Sequence, residues 1–212
     1  MDAEMPKADE LNLPQALLLL ATTDHDGRSA VPHAVLTAAL SGAILAELEL
    51  LGAIELHGKH VRATGTSPQT DFGNQLELIR DGSRPHTPKR WVSMLESRAE
   101  LRRVYEGLAS LGIVDQVGER RLGLFRRTRY PEKDHAPEAA LLEKVGAALS
   151  GGSADPRTRA LTSLLYSAEL IGKIFPGIDQ GHARELAHNY WPSRAVAAEL
   201  RMIRLAEAET AS

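Results

Sequence analysis

Arginine is the residue type best placed to do chemistry in this chain, and it is concentrated. Residues 120–131 read RRLGLFRRTRYP, so Arg120, Arg121, Arg126, Arg127 and Arg129 fence the short apolar run Leu122, Gly123, Leu124 and Phe125. A guanidinium carries its N–H donors in a rigid, permanently charged fork that matches phosphate and carboxylate oxygens. An apolar run between such forks suits a surface that is anionic on top and oily beneath, as a membrane interface is. Two other readings fit the same letters. Arginines on an edge hairpin deter sheet-to-sheet pairing. A hairpin after helices is also the order of a winged-helix DNA-binding protein, whose wing arginines touch phosphates.

A second pair lies upstream. In ESRAELRRVYEGL, Arg98 and Arg102 stand four apart and share a helical face, while Leu101, Val104 and Leu108 make the buried stripe. They either form an anion site or lie on a solvated face, with Arg98 paired to Glu96 or Glu106. The remaining polar residues promise less. His57 and His60 flank a turn in HGKH without a third ligand nearby in sequence, which favours solvated turn histidines over a metal site. His182 and His188 fall on different faces of a helix-like segment and receive no role. RATGTSPQ lacks the lysine and spacing of a phosphate-binding loop, there is no nucleophile elbow, and the carboxylates form no evident pair. The reading is therefore not an enzyme, with no metal and no cofactor.

Those residues need elements to hold them. The chain has 212 residues, 43% of them apolar but only 4% aromatic, so a core must be built from Leu, Ala, Ile and Val. Net charge is −3, so any attraction to anions must be local. No cysteine is present, which suits a reducing cytosol. The start, MDAEMPKADE, has no signal-peptide pattern, and the apolar stretch 34–48 is interrupted by Thr37, Ser41 and Glu47 and is short of the roughly 20 residues that span a bilayer. A cytoplasmic protein is expected. Abundant arginine and alanine suggest a GC-rich bacterial genome.

Apolar spacing predicts helices over 11–22, 30–51, 70–81, 88–95, 97–111, 137–149, 155–174 and 193–208. Gly52 and Gly112 are placed to end two of them as left-handed caps, and Asp155–Pro156 to start another. After each capping glycine the sequence turns to a hairpin, AIELHGKHVRAT and then IVDQVGERRLGLFRRTRYP, the latter with its turn near Gly118. The expected domain structure is a flexible acidic segment, 1–10, and one mainly α-helical domain, 11–208, with two short hairpins. Residues 113–129 are expected to form an exposed contact hairpin. Burying Leu122, Leu124 and Phe125 would contribute roughly 1.5–3 kcal/mol each, and each surface arginine about 1 kcal/mol. After ordering costs, one hairpin binds weakly and needs a second signal or a second copy.

The order of LPQALLLLATTDHDG, LTAALSGAILAELELLGAIEL, RWVSMLES, LASLGIV, LGLFRRTRYP and DPRTRALTSLLYSAELIGKIF resembles the Golgi phosphoprotein 3 family of phosphatidylinositol-4-phosphate-binding adaptors. The resemblance implies circularly arranged helices with a protruding hairpin, near residues 117–127, that serves membrane contact and oligomer formation. It carries the headgroup site onto Arg98, with Leu101, Pro32 and Ser41 standing where the family has two arginines and a tryptophan, and Arg102 adjacent. The expected headgroup residues are thus Arg98, Arg102 and Ser41, and the expected hairpin contacts Arg121, Leu122, Leu124, Phe125, Arg126 and Arg127. The implied function is non-catalytic peripheral membrane binding to a phosphoinositide or other anionic lipid headgroup, with a homo-oligomer through the hairpin. The alternative is a winged-helix-like nucleic-acid-binding regulator. A discriminating feature is the helix before the second hairpin, which carries Glu96, Glu100 and Glu106 among its arginines and so is a poor DNA reader; no nucleic acid is expected as partner.

Overall fold

Asn12 starts the first helix, α1 (Leu13–Leu20): its side chain accepts the Gln15 N–H while Gln15 reaches back to the Asn12 N–H, a reciprocal cap. The structure is a computed structural model and describes residues 8–121 and 125–210. The second helix, α2 (His33–Leu50), begins later than its apolar spacing implies. Pro32 is its N-cap with φ −55° and ψ 149°. The residue before a proline avoids the helical region, so Val31 stays in the loop, while the Ala30 N–H donates to the Ala21 carbonyl at 2.8 Å.

α2 is the core of the molecule. Residues 36–48 along it are buried, and it packs against α1, α4 (Pro88–Leu95), α7 (Pro156–Ser167) and α10 (Trp191–Thr210). It is long and apolar enough to cross a membrane, with mean hydropathy 1.4, but 72% of it is enclosed by its neighbours. That is the burial of a helix hydrophobic all round inside a larger protein. Gly42 makes the close approach possible: a Cβ there would lie 2.2 Å from Val196 Cγ2 and 3.3 Å from Leu164 Cδ2.

One charged residue is buried in this helix. Glu47 is 4% exposed. It accepts the Leu13 N–H at 2.8 Å and both Arg157 terminal nitrogens, at 2.6 and 3.0 Å. A single carboxylate thus satisfies the start of α1 and anchors α7; the sequence reading saw Glu47 only as an interruption. Breaking such a buried pair costs about 3–5 kcal/mol.

The other elements are α3 (Gly73–Asp81), α5 (Arg98–Ser110), α6 (Ala136–Leu149), α8 (Ile171–Ile174), α9 (Gly181–Asn189), and two antiparallel hairpins, β1 (Ile54–His57) with β2 (His60–Ala63) and β3 (Val117–Arg121) with β4 (Phe125–Arg129). The mainly α fold with two short hairpins is as expected. Besides the late start of α2 and the unexpected α9, three details differ. The helix predicted over 155–174 breaks where Glu169 adopts φ 59°, which swings Leu170 and Ile171 fully into the core. Ile113 and Val114 are 0% and 3% exposed, so the start of the stretch read as a contact hairpin is core. Gly118 lies inside β3 opposite Thr128, and the strands flank residues 122–124 instead.

Candidate anion-binding site

The root of the second hairpin is built by a backbone contact. Gly27, in the α1–α2 loop, has φ 61°, and a Cβ on it would lie 2.3 Å from the Pro131 nitrogen. Only glycine permits both that φ and that approach. The Gly27 carbonyl accepts the Tyr130 N–H at 3.2 Å, and the Asp24 carbonyl accepts the Glu132 N–H at 3.0 Å. The loop before α2 is thereby stitched to the chain leaving β4. Tyr130 then stacks on Tyr105 of α5 with ring centroids 4.3 Å apart and planes 3° from parallel. The Thr22 hydroxyl donates to the Leu18 carbonyl at 2.6 Å, so the Tyr105 hydroxyl is the donor in its 2.8 Å bond to Thr22. Burial pushes the Tyr105 phenol up to about 12. Tyr130 is raised by burial too, with Glu106 adding to the rise and Arg102 opposing it.

Above this stack is a concavity of about 450 Å³ between the loop, α2, α5 and β4. Arg28, His33, Arg98, Arg102 and Arg129 supply its basic groups, and Val31, Leu36 and Leu101 part of its apolar floor. The N-terminus of α2 opens here without a side-chain cap or an acidic residue in its first turn. Free N–H groups at a helix start favour an anion. Arg98 and Arg102 are exposed and form no ion pair among the described residues. The solvated-face pairing of Arg98 with Glu96 or Glu106 does not occur. Glu96 instead points its carboxylate at Thr37 (3.5 Å), and burial, then the nearby Glu199, raises its pKa.

Arg98 and Arg102 line this concavity together with Pro32 and Leu101. Ser41 is a correction. It is 1% exposed and donates to the Thr37 carbonyl at 3.0 Å inside the core. Nine residues beyond Pro32, it is about 13 Å farther along α2. His33, one residue after Pro32, lines the concavity instead, as do Arg28 and Arg129. Sequence reasoning did not place those three in the site, although Arg129 closes the arginine-rich stretch and Arg28 follows a glycine that the turn pattern already marks. Within the hairpin, the register sets Arg121 opposite Phe125, Arg120 opposite Arg126 and Glu119 opposite Arg127. Leu122 and Leu124 lie outside the described residues.

A larger concavity, about 920 Å³, lies between α7, α9 and α10 and also holds arginines. Three of the four arginines that line it are engaged, Arg184 with the Tyr166 hydroxyl at 3.1 Å, Arg194 with the His188 carbonyl at 3.2 Å, and Arg204 with Glu169, which leaves Arg201. The smaller site brings two unpaired guanidiniums, Arg98 and Arg102, beside an uncapped helix start. His57 and His60 face each other across β1–β2, and no third ligand joins them among the described residues. α5 is a poor nucleic-acid reader: Leu101, Val104, Tyr105 and Leu108 are buried, and Arg103 is held by Glu100 and the Asp71 carbonyl.

The fold is mainly helical, and its core helix starts at a basic concavity at the root of an arginine-rich hairpin. The family model for Golgi phosphoprotein 3 (GPP34) matches residues 13–203, and the chain belongs to that family. Membership points to a non-catalytic adaptor. No curated protein matches the chain.

Proposed function

We propose that this protein is a non-catalytic, cytoplasmic peripheral membrane adaptor that holds an anionic lipid headgroup, phosphatidylinositol 4-phosphate or a related phosphate, at the root of its second hairpin. Two uncommitted arginines one helical turn apart, Arg98 and Arg102, carry this reading, since they face an apolar-floored concavity beside an uncapped helix start. The apolar run with Arg121, Arg126 and Arg127 then meets the interface or a second copy of the chain. Arginine–phosphate pairs position the headgroup, and the apolar floor accommodates its glycerol end. The pocket has no tryptophan, so His33 and Arg28 take up the part of the headgroup that a ring would cover.

Liposome flotation across a headgroup panel tests this. Vesicles carrying a phosphoinositide or another anionic lipid should float the protein, and neutral phosphatidylcholine vesicles should not. Arg98→Ala with Arg102→Ala should weaken binding roughly 10- to 30-fold, from about 1 kcal/mol per near-surface arginine, with thermal stability nearly unchanged. Equal flotation on neutral vesicles, or a large fall in melting temperature with unaltered binding, would remove the headgroup reading. A DNA mobility shift tighter than lipid binding would favour the nucleic-acid alternative.

A further inference from the structure

On the far side of the same α1–α2 loop lies a cluster of the opposite charge. Asp24 from the loop, Glu132 two residues past Tyr130, His135 at the start of α6 and Glu138 in its first turn each place a ligand atom so that all lie within 4.8 Å of one another. His135 Nδ1 is 2.8 Å from Glu132 Oε2 and 3.9 Å from Glu138 Oε2. The Glu132 and Glu138 side chains are only 9% and 8% exposed. The second oxygen of Glu132, Oε1, is cut off from solvent and has no hydrogen-bond partner.

The His135 imidazole is the one basic group within the cluster, and only Glu132 lies close to it. Among the described residues, no lysine or arginine pairs with Asp24, Glu132 or Glu138. The neighbouring cations are engaged elsewhere, Lys133 with Asp115 at 3.5 Å and Arg28 with Asp26 at 3.2 Å. Buried carboxylates without a counter-charge are strongly unfavourable. A proton on Glu138 or on His135, or a bound cation, must neutralise them.

We propose that Asp24, Glu132, His135 and Glu138 bind a divalent transition cation of the zinc or manganese class. One imidazole among three carboxylates suits those ions better than calcium or magnesium, which take oxygen ligands. Bonds of roughly 2.0–2.2 Å put donors about 3–4 Å apart, so the cluster contracts slightly on binding. The ion ties the loop to the start of α6 and thereby braces Gly27 and Arg28 from behind. Its binding does not depend on what occupies the concavity.

Isothermal titration calorimetry and thermal unfolding of the untagged full chain, stripped with EDTA, test the proposal with Zn²⁺, Mn²⁺, Mg²⁺ and Ca²⁺. Zn²⁺ or Mn²⁺ should bind at one site per chain and raise the melting temperature. Affinity should fall at least 10-fold in Glu138→Gln and in His135→Ala, whereas Asp26→Asn, a carboxylate on the same loop outside the cluster, should leave it intact. His135 is 62% exposed, so its removal tests the site without threatening the fold. Pulsed electron paramagnetic resonance of bound Mn²⁺ should show imidazole nitrogen coupling that disappears in His135→Ala. No stoichiometric binding of any of the four ions would overturn the assignment and leave a proton on Glu138 or His135 as the neutralising charge; wild-type affinity in both variants, or a preference for Mg²⁺ or Ca²⁺, would overturn it as well.

Discussion

The hairpin β1–β2 follows α2 across Gly52, and β3–β4 follows α5 across Gly112; both glycines hold positive φ, 67° and 75°. From the same opening the two diverge. In the first, Ile54 and Val61 are 2% exposed, β2 packs on α3, and the Val61 N–H donates to the His86 carbonyl at 3.0 Å. In the second, Val117 is 45% exposed and Thr128 is exposed, and the strands pair chiefly with each other. The difference lies in the letters that follow the cap. IELH alternates apolar and polar residues and so offers one face to the core. VGERR and FRRTR put charge at successive positions, and neither face can be buried cheaply. One local unit is thus packed on the core in one place and in the other forms an arm whose strands contact chiefly each other.

The arm must be held at its root, and the largest expected effect breaks that hold. Tyr130 is 7% exposed and stacked on Tyr105. Tyr130→Ala should cost about 3–5 kcal/mol, by analogy with buried aromatic truncations. Chemical denaturation checks it, and a loss below about 1 kcal/mol would mean that backbone stitching alone anchors the hairpin.

Next in size is the contrast between the hairpins themselves. Ile54→Ala should destabilise by about 2–5 kcal/mol, whereas Val117→Ala should stay within about 0.5 kcal/mol. Similar losses from the two would mean that β3–β4 is packed as firmly as β1–β2.

A smaller effect sharpens the root through pH. The Tyr105 phenol is raised to about 12 against roughly 10 when unfolded. A group raised on folding contributes stability that is complete below the unfolded value and lost as pH rises through the folded one. Stability should therefore fall between about pH 10 and 12. Tyr105→Phe should cost about 1 kcal/mol at neutral pH through the lost Thr22 hydrogen bond, and should flatten part of the alkaline fall. Tyr130 and Tyr190, also raised by burial, keep the remainder. An alkaline limb as steep as in wild type would show that Tyr105 ionises freely.

Most of the fold could be read from local signals. Gly52 and Gly112 announce the helix ends, and Asp155, whose side chain accepts the Thr158 N–H at 3.0 Å, announces a start. What escaped depends on partners distant in sequence. Glu47 bonds Leu13 and Arg157, 34 and 110 residues away. The break at Glu169 follows from where Leu170 and Ile171 must pack, and α9 is too short and polar for its spacing to stand out. The site was half legible. Arg98 and Arg102 follow from helical spacing, but Arg28 and His33 join them only because Gly27 lets the loop lie against Tyr130 and Pro131. Ser41 misled because position in a matched stretch does not fix the face a helix turns to solvent.

The smallest expected effect on stability falls on the apolar run between the arm's strands. Replacing Leu122, Leu124 and Phe125 with Ser should change unfolding free energy by no more than about 0.5 kcal/mol, as for surface positions generally, while weakening vesicle flotation or reducing oligomer size. A fall of several degrees in melting temperature would return those residues to the core and erase the distinction between the two hairpins. The same variant separates the two halves of the proposed membrane grip. Attraction between arginine and phosphate at a surface is screened by salt, whereas burial of apolar side chains is not. Flotation of the Ser variant should therefore collapse steeply as salt rises, because only the arginines still hold it. The Arg98→Ala, Arg102→Ala variant should bind weakly but with a shallower salt dependence, because the apolar run contributes more of what remains. Identical salt profiles for the two would mean that hairpin and concavity do not act as separate contacts.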